Sequence, residues 1–198
     1  ENNKVFNFDS GFIVFNNLNY QNYIKVLEEN NVEYEKSNMS FSVINDEEDY
    51  EWAGKNIKTI FDLSNIFTLR YWKVLAGIVK LNLIIKTKKQ INNSITVDQF
   101  LRNHHFNDEF INLYFLPMCS SIWSSNFQDI KNYGAKFVIN FFENHGLCNI
   151  LKKRPIWMTI KNGSSQYVKK IVSKIGEDNC LLNSEVINID QDNKIVKC

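Results

Sequence analysis

Residues 155–174, Pro-Ile-Trp-Met-Thr-Ile-Lys-Asn-Gly-Ser-Ser-Gln-Tyr-Val-Lys-Lys-Ile-Val-Ser-Lys, hold the change of period that decides the fold class. Pro155 to Ile160 is a short apolar run with strand character. Asn162-Gly163-Ser164-Ser165 is a turn, and Gln166 to Lys174 returns to helical spacing. Beyond it, Cys180–Leu182 and Val186–Asp190 read as two short strands, and Asn193 closes a hairpin into Ile195–Val196. Strand, turn, helix and hairpin within about forty residues mark an α+β chain.

Working back toward the N-terminus, residues 5–16 read as a loop entering a buried strand. Tyr20, Tyr23, Ile24 and Leu27 share one stripe of an amphipathic helix over 20–29. Val32–Lys36 and Met39–Ile44 have strand character, and an acidic turn at Asp46–Asp49 leads to a partner strand at Tyr50–Ala53, closed by Gly54. A helical region follows. Arg70–Lys86 carries Tyr71, Val74, Leu75, Ile78, Leu81 and Ile85 at helical spacing. Thr96-Val97-Asp98-Gln99 matches a capping box, so a short helix runs through Arg102. Asn107 caps the next helix, which Pro117 is expected to kink or end. Another helix covers Tyr133–Asn144 and stops at Gly146.

Composition narrows the function classes. The chain has 198 residues, 44% hydrophobic and 23% charged, with a net charge of +1. That balance lacks the clustered basic face of a nucleic-acid binder. The longest apolar stretch, Tyr71–Ile85, is broken by Lys73, Lys80 and Asn82, so no integral membrane segment is expected. The first ten residues have no signal-peptide character. Glu1 in place of a methionine suits an excised segment, and the default compartment is cytoplasmic. Cys119, Cys148, Cys180 and Cys198 have no paired spacing, and His104, His105 and His145 do not converge. Free thiols and no metal site are therefore expected. No Ser sits in a nucleophile elbow, and neither G-x-x-x-x-G-K-[ST] nor G-x-G-x-x-G occurs. The aromatic content is high, 14%. It admits two readings, plain core or an aromatic-lined pocket for an apolar or planar ligand.

Several strings in one order carry a family resemblance. Asp9–Asn16 (DSGFIVFN), Ser37–Val43 (SNMSFSV), Glu51–Gly54 (EWAG), Leu116–Ser124 (LPMCSSIWS), Phe141–Leu147 (FFENHGL) and Arg154–Val168 (RPIWMTIKNGSSQYV) resemble the flavin-containing amine oxidase superfamily. Within it they look like the bacterial branch of predicted NAD/FAD-binding oxidoreductases. The likeness runs from about Asp9 to Ile189.

The resemblance implies an internal fragment of such an enzyme. Its fold would be a substrate-binding domain with a small antiparallel or mixed sheet and a helical cap, plus an edge segment of a Rossmann-type FAD domain. The implied organisation is 1–16 as a connection from the FAD domain, 17–157 as the substrate-binding domain and 158–198 as a partial FAD-binding segment. FAD would belong to the full-length protein, with none expected in this fragment, which alone would be inactive because the pyrophosphate motif is absent. Gly11, Phe12, Gly163, Ser164 and Val186 match cofactor-side positions. Asn162 stands where the superfamily commonly has the first glycine of a Gly-Gly pair. Met39, Phe41, Trp52, Trp123 and Trp157 are candidates for the substrate or flavin-facing cavity. The reaction would be hydride transfer from substrate to flavin, of amine oxidase or desaturase type. The substrate would be an amine or an apolar, lipid-like molecule. A cofactor-free binding or interaction domain is the alternative, and a membrane-surface protein using the Arg70–Lys89 helix is a third.

Overall fold

A computed structural model describes residues 9–46, 50–53, 68–87, 91–92, 94–147 and 155–198. The chain is mixed α+β and divides into two compact units. The first is discontinuous, Glu1–Ser37 with Trp157–Cys198, and the second, Asn38–Ile156, is inserted between its two segments. The expected organisation 1–16, 17–157 and 158–198 assigned residues 17–37 to the substrate-binding domain. Contacts instead group them with the strand that follows Ile156, because that strand needs a partner on each side.

That strand is β5 (Trp157–Ile160). It pairs antiparallel with β1 (Phe15–Asn16) and with β2 (Tyr34–Lys36), giving the order β1-β5-β2. β5 alternates half-buried and buried positions, and its buried side chains are Met158 and Ile160. This is the period-2 pattern of a strand with one face on a core. Helix α1 (Gln21–Glu29) closes the core with Leu27, and Tyr20, Tyr23, Ile24 and Tyr34 pack around Phe15, Val32, Met158 and Ile160. Helix α8 (Ser165–Ile175) follows β5 and buries no residue fully. Its Tyr167 packs against the same core. The hairpin β6 (Asn188–Asp190) and β7 (Ile195–Lys197) ends the chain, and the Asp190 carboxylate accepts from the Asp192 and Asn193 amides of its loop. Every named strand pair in the described residues is antiparallel.

The inserted unit has one hairpin and a helical core. β3 (Ser42–Asn45) pairs with β4 (Tyr50–Ala53). Helix α2 (Leu69–Lys86) buries Tyr71, Val74, Gly77, Ile78, Leu81 and Ile85. Helix α3 (Val97–Asn103) starts at the expected capping box, with Thr96 and Gln99 satisfying each other's backbone N–H. Asn107 caps α4 (Asp108–Phe110), which continues through a π-turn (Ile111–Phe115) into α5 (Leu116–Trp123). Then come α6 (Phe127–Asn132) and α7 (Ala135–Asn144). The Val97 amide donates to the Tyr133 carbonyl and the Ala135 amide to the Ile95 carbonyl, which ties the start of α3 to the start of α7.

Three expectations need correction. Pro117 does not end its helix; it lies one residue into α5, after the π-turn. A proline ring in an ordinary α-helix would clash with the carbonyl four residues back, here Leu113. Leu113 lies in the widened π-turn, which gives the ring room. Cys180–Leu182 forms no strand: Leu181 and Leu182 are exposed in a turn. No ladder partner reaches them among the described residues, and Asn183 at φ +55° interrupts any extension. The helix expected from Tyr133 begins at Ala135, because Gly134 is held extended by its bridge to Thr96. The expected turn at 46–49 and its neighbour Gly54 fall largely outside the described residues.

Candidate functional site

Four of the five cofactor-side candidates converge in the discontinuous unit. The turn Asn162-Gly163-Ser164 connects β5 to α8, and the loop from Asp9 to Val14 enters β1. Because β1 and β5 are paired, these two ends are brought side by side. The Ser164 amide donates to both carboxylate oxygens of Asp9, at 3.0 and 2.9 Å, and the Ser164 hydroxyl donates to Asp9 Oδ2 at 3.0 Å. That hydroxyl also reaches the Phe12 carbonyl at 3.3 Å. Thr159 Oγ1 donates to the Ile13 carbonyl at 2.8 Å and extends the seam along β5. Asp9 thus serves as the N-terminal anion for a helix whose own cap residue makes no side-chain cap bond. Sequence reading missed Asp9, since its partner lies at the far end of the chain.

Backbone conformation explains the residue types of the turn. Asn162 and Gly163 have φ of +66° and +90°. Asn is among the non-glycine residues that best tolerate this region, so the departure from a Gly-Gly pair keeps the turn. A Cβ on Gly163 would meet Asp9 Oδ1 at 3.4 Å, an ordinary contact, so a substitution there is opposed by φ. At Gly11, by contrast, an added Cβ would have no atom of the described residues within 4 Å, so among them space lies open over this part of the loop. Phe12 is half exposed, its ring against Tyr20 at 5.6 Å and edge-on to Tyr23 at 5.3 Å. Tyr23 also meets Phe15 and Tyr167 edge-on at 5.0 and 5.8 Å. Burial, then the nearby Tyr167 and Asp9, push the Tyr23 phenol up to about 12. It therefore stays a hydrogen-bond donor at neutral pH. Its oxygen is buried, with no hydrogen-bond partner among the described residues. Val186 is not in a strand as expected. It lies two residues before β6 and is half exposed.

The substrate-side candidates are divided between the two units. Trp157 lies in β5 of the discontinuous unit, opposite Asn16. Met39, Phe41, Trp52 and Trp123 belong to the inserted unit. Met39 is half exposed and Phe41 packs on the helical core. Trp52 is opposite Val43 in the β3–β4 ladder, and its side chain falls outside the described residues.

Trp123 heads a cluster of its own. Its ring centroid lies 5.0 Å from Phe141, 5.6 Å from Phe137 and 6.1 Å from Tyr133. The Tyr133 hydroxyl is 2.9 Å from Ser125 Oγ. The His145 ring stacks on Phe141 at 3.8 Å, and its Nδ1 is 3.0 Å from the Phe141 carbonyl. A carbonyl can only accept, so Nδ1 carries the proton. Burial lowers the His145 pKa, partly opposed by that bond, so the imidazole is neutral at pH 7. His104 is half buried and meets Phe100 edge-on at 4.6 Å. Cys119 is a buried free thiol, and Cys148 falls outside the described residues. No group of three or more His, Cys, Asp or Glu among the described residues could hold a metal ion.

The Asp9 seam sets a direct test. Asp9→Ala leaves the Ser164 amide and hydroxyl without their acceptor and is expected to cost about 1–2 kcal/mol, the scale of a lost helix cap. Asp9→Asn should retain part of that, because its amide oxygen still accepts. Urea denaturation of the three proteins checks the ranking.

No protein-family model matches the chain, and no curated protein is significantly similar to it.

Proposed function

We propose that this chain is the substrate-binding portion of an FAD-dependent oxidoreductase of the amine oxidase superfamily, together with an edge of its Rossmann-type flavin domain. The observation that carries the reading is the topology: one unit is built from two distant segments, and the other is inserted between them. An insertion within a split FAD domain is the organisation that the ordered strings imply. The seam between Asp9–Phe12 and Gly163–Ser164 is where the two segments meet, and those are the matched cofactor-side positions.

FAD, when bound, supplies the redox chemistry by accepting a hydride from substrate. This chain would contribute shape and exclusion of water. The open space at Gly11 and the Phe12 ring suit a flat apolar neighbour. The α8 N-terminus is not a pyrophosphate site, because the Asp9 carboxylate already occupies it. The pyrophosphate-binding motif must then come from other polypeptide. The cluster of Trp123, Tyr133, Phe137 and Phe141 supports an apolar, lipid-like substrate over a strongly polar one.

Cofactor content tests the proposal. The 198-residue chain alone is expected to purify colourless, and the full gene product yellow with a flavin absorbance spectrum. A flavin spectrum from the chain alone would sink the half-site reading. A colourless full gene product that cannot be reconstituted with FAD would favour a cofactor-free binding domain. Flavin reduction on mixing with amines or with unsaturated lipids then selects between the substrate classes.

A further inference from the structure

Helix α2 is apolar on two opposite sides, and only one of them is used by the core. The buried stripe is Tyr71, Val74, Ile78, Leu81 and Ile85. The outward stripe is Leu69, Trp72, Ala76, Val79 and Leu83, alternately three and four residues apart, so these share one face. Leu69 is 73% exposed, Trp72 50%, Val79 50% and Leu83 57%. At 1.5 Å per residue this face is about 21 Å long. A helix apolar all round belongs in a buried setting, yet this one presents half of itself outward.

Charge selects the occupant. Residues 69–86 contain Arg70, Lys73, Lys80 and Lys86 and no acid, and Lys88 and Lys89 follow in the sequence. Glu109 meets the helix and is held by Lys73. Lys80 donates to the His105 carbonyl and sits over the Phe106 ring. Docking a second copy parallel to the first would set Lys86 against Lys86. An anionic lipid surface meets both features at once. Leu69, Val79 and Leu83 enter the acyl boundary, Trp72 suits the headgroup level, and Lys86 attracts anionic headgroups. No helix among the described residues is long and apolar enough to cross a membrane, so α2 would lie on the surface instead.

We infer that the outward face of α2 docks on anionic membrane surfaces. The inference is independent of the flavin reading, and its test needs no cofactor. Purified chain is sedimented with vesicles of equal parts phosphatidylcholine and phosphatidylglycerol, or of phosphatidylcholine alone. It is expected to pellet with the first, be released by high salt, and stay largely in solution with the second. Leu69→Ser/Leu83→Ser alters only exposed positions and should weaken binding at least about tenfold. Lys86→Gln should weaken it about fivefold. Trp72 emission should shift blue on vesicle binding, read as the difference from Trp72→Phe. Failure to pellet with anionic vesicles overturns the inference, as does equal binding by Leu69→Ser/Leu83→Ser. So does a dimer of the chain that this double variant dissolves, since the face would then belong to a second copy.

Discussion

Phe110→Ala is expected to lower the stability of the inserted unit by about 4 kcal/mol, and Gly77→Ala by roughly 1–3 kcal/mol. The Phe110 side chain is fully buried, with ring neighbours Phe106 at 4.9 Å, Tyr114 at 5.6 Å and Phe115 at 5.8 Å. It is seated against α2 because Gly77 has no side chain. An added Cβ there would lie 2.3 Å from Phe110 Cγ. The three rings around Phe110 leave it little room to withdraw. Alanine's better helix propensity, about 1 kcal/mol, does not offset that overlap. The two substitutions should therefore couple. Once Phe110 is truncated, the Gly77→Ala methyl enters vacated space and becomes neutral or slightly stabilising. A double-mutant cycle in urea, followed by helical circular dichroism, should give a coupling of about 1–3 kcal/mol. Strict additivity would show that Gly77 is not what admits the ring.

The same pair illustrates which features the sequence could disclose. Thr96 with Gln99, and Asn107 with the Phe110 amide, are local devices whose partners lie three residues apart, so the pattern alone identifies them. The stripes of α1 and α2 are legible for the same reason, since period maps onto face. Gly77 looks like a helix weakener until its neighbour on α4 is known. Pro117 looks like a helix breaker because the rule assumes α geometry, and no local pattern announces the π-turn before it. Asp9 and Ser164 are separated by 155 positions. Their meeting depends on β1 pairing with β5, which no local period encodes. The division of the aromatic candidates between the units was hidden for a related reason. Composition counts Trp123 and Trp157 alike, but the insertion assigns them to different units. Seams and close approaches are decided by long-range partners, and both the Asp9 seam and the Gly77 contact belong to that class.

Phe15→Ala should have the second large effect, about 4 kcal/mol, and it bears directly on the proposed flavin-side seam. Among the described residues the core of the discontinuous unit is five buried side chains, Phe15, Leu27, Val32, Met158 and Ile160. Phe15 is the largest of them, with Tyr23 and Tyr34 edge-on at 5.0 and 5.7 Å. Total domain stabilities are of order 5–15 kcal/mol, so one such loss removes a large share of what so small a core provides. The expected readout is hydrogen exchange. The Ser37 amide, bonded to the Trp157 carbonyl, and the Lys161 amide, bonded to the Glu33 carbonyl, report on the edges of the β5 sheet. Both should lose protection by about two to three orders of magnitude, the equivalent of that loss. The Val97 and Ala135 amides of the inserted unit should change far less. Phe15 immediately follows the loop that carries Asp9, Gly11 and Phe12, and its partner across the ladder is Met158. Loss of its ring should therefore release the Asp9–Ser164 seam, although no seam residue is altered. In the full gene product, flavin retention should then fall in parallel with protection at Ser37 and Lys161. Lost protection with flavin content unchanged would separate the seam from the cofactor and count against the proposed role of Gly11, Phe12, Gly163 and Ser164.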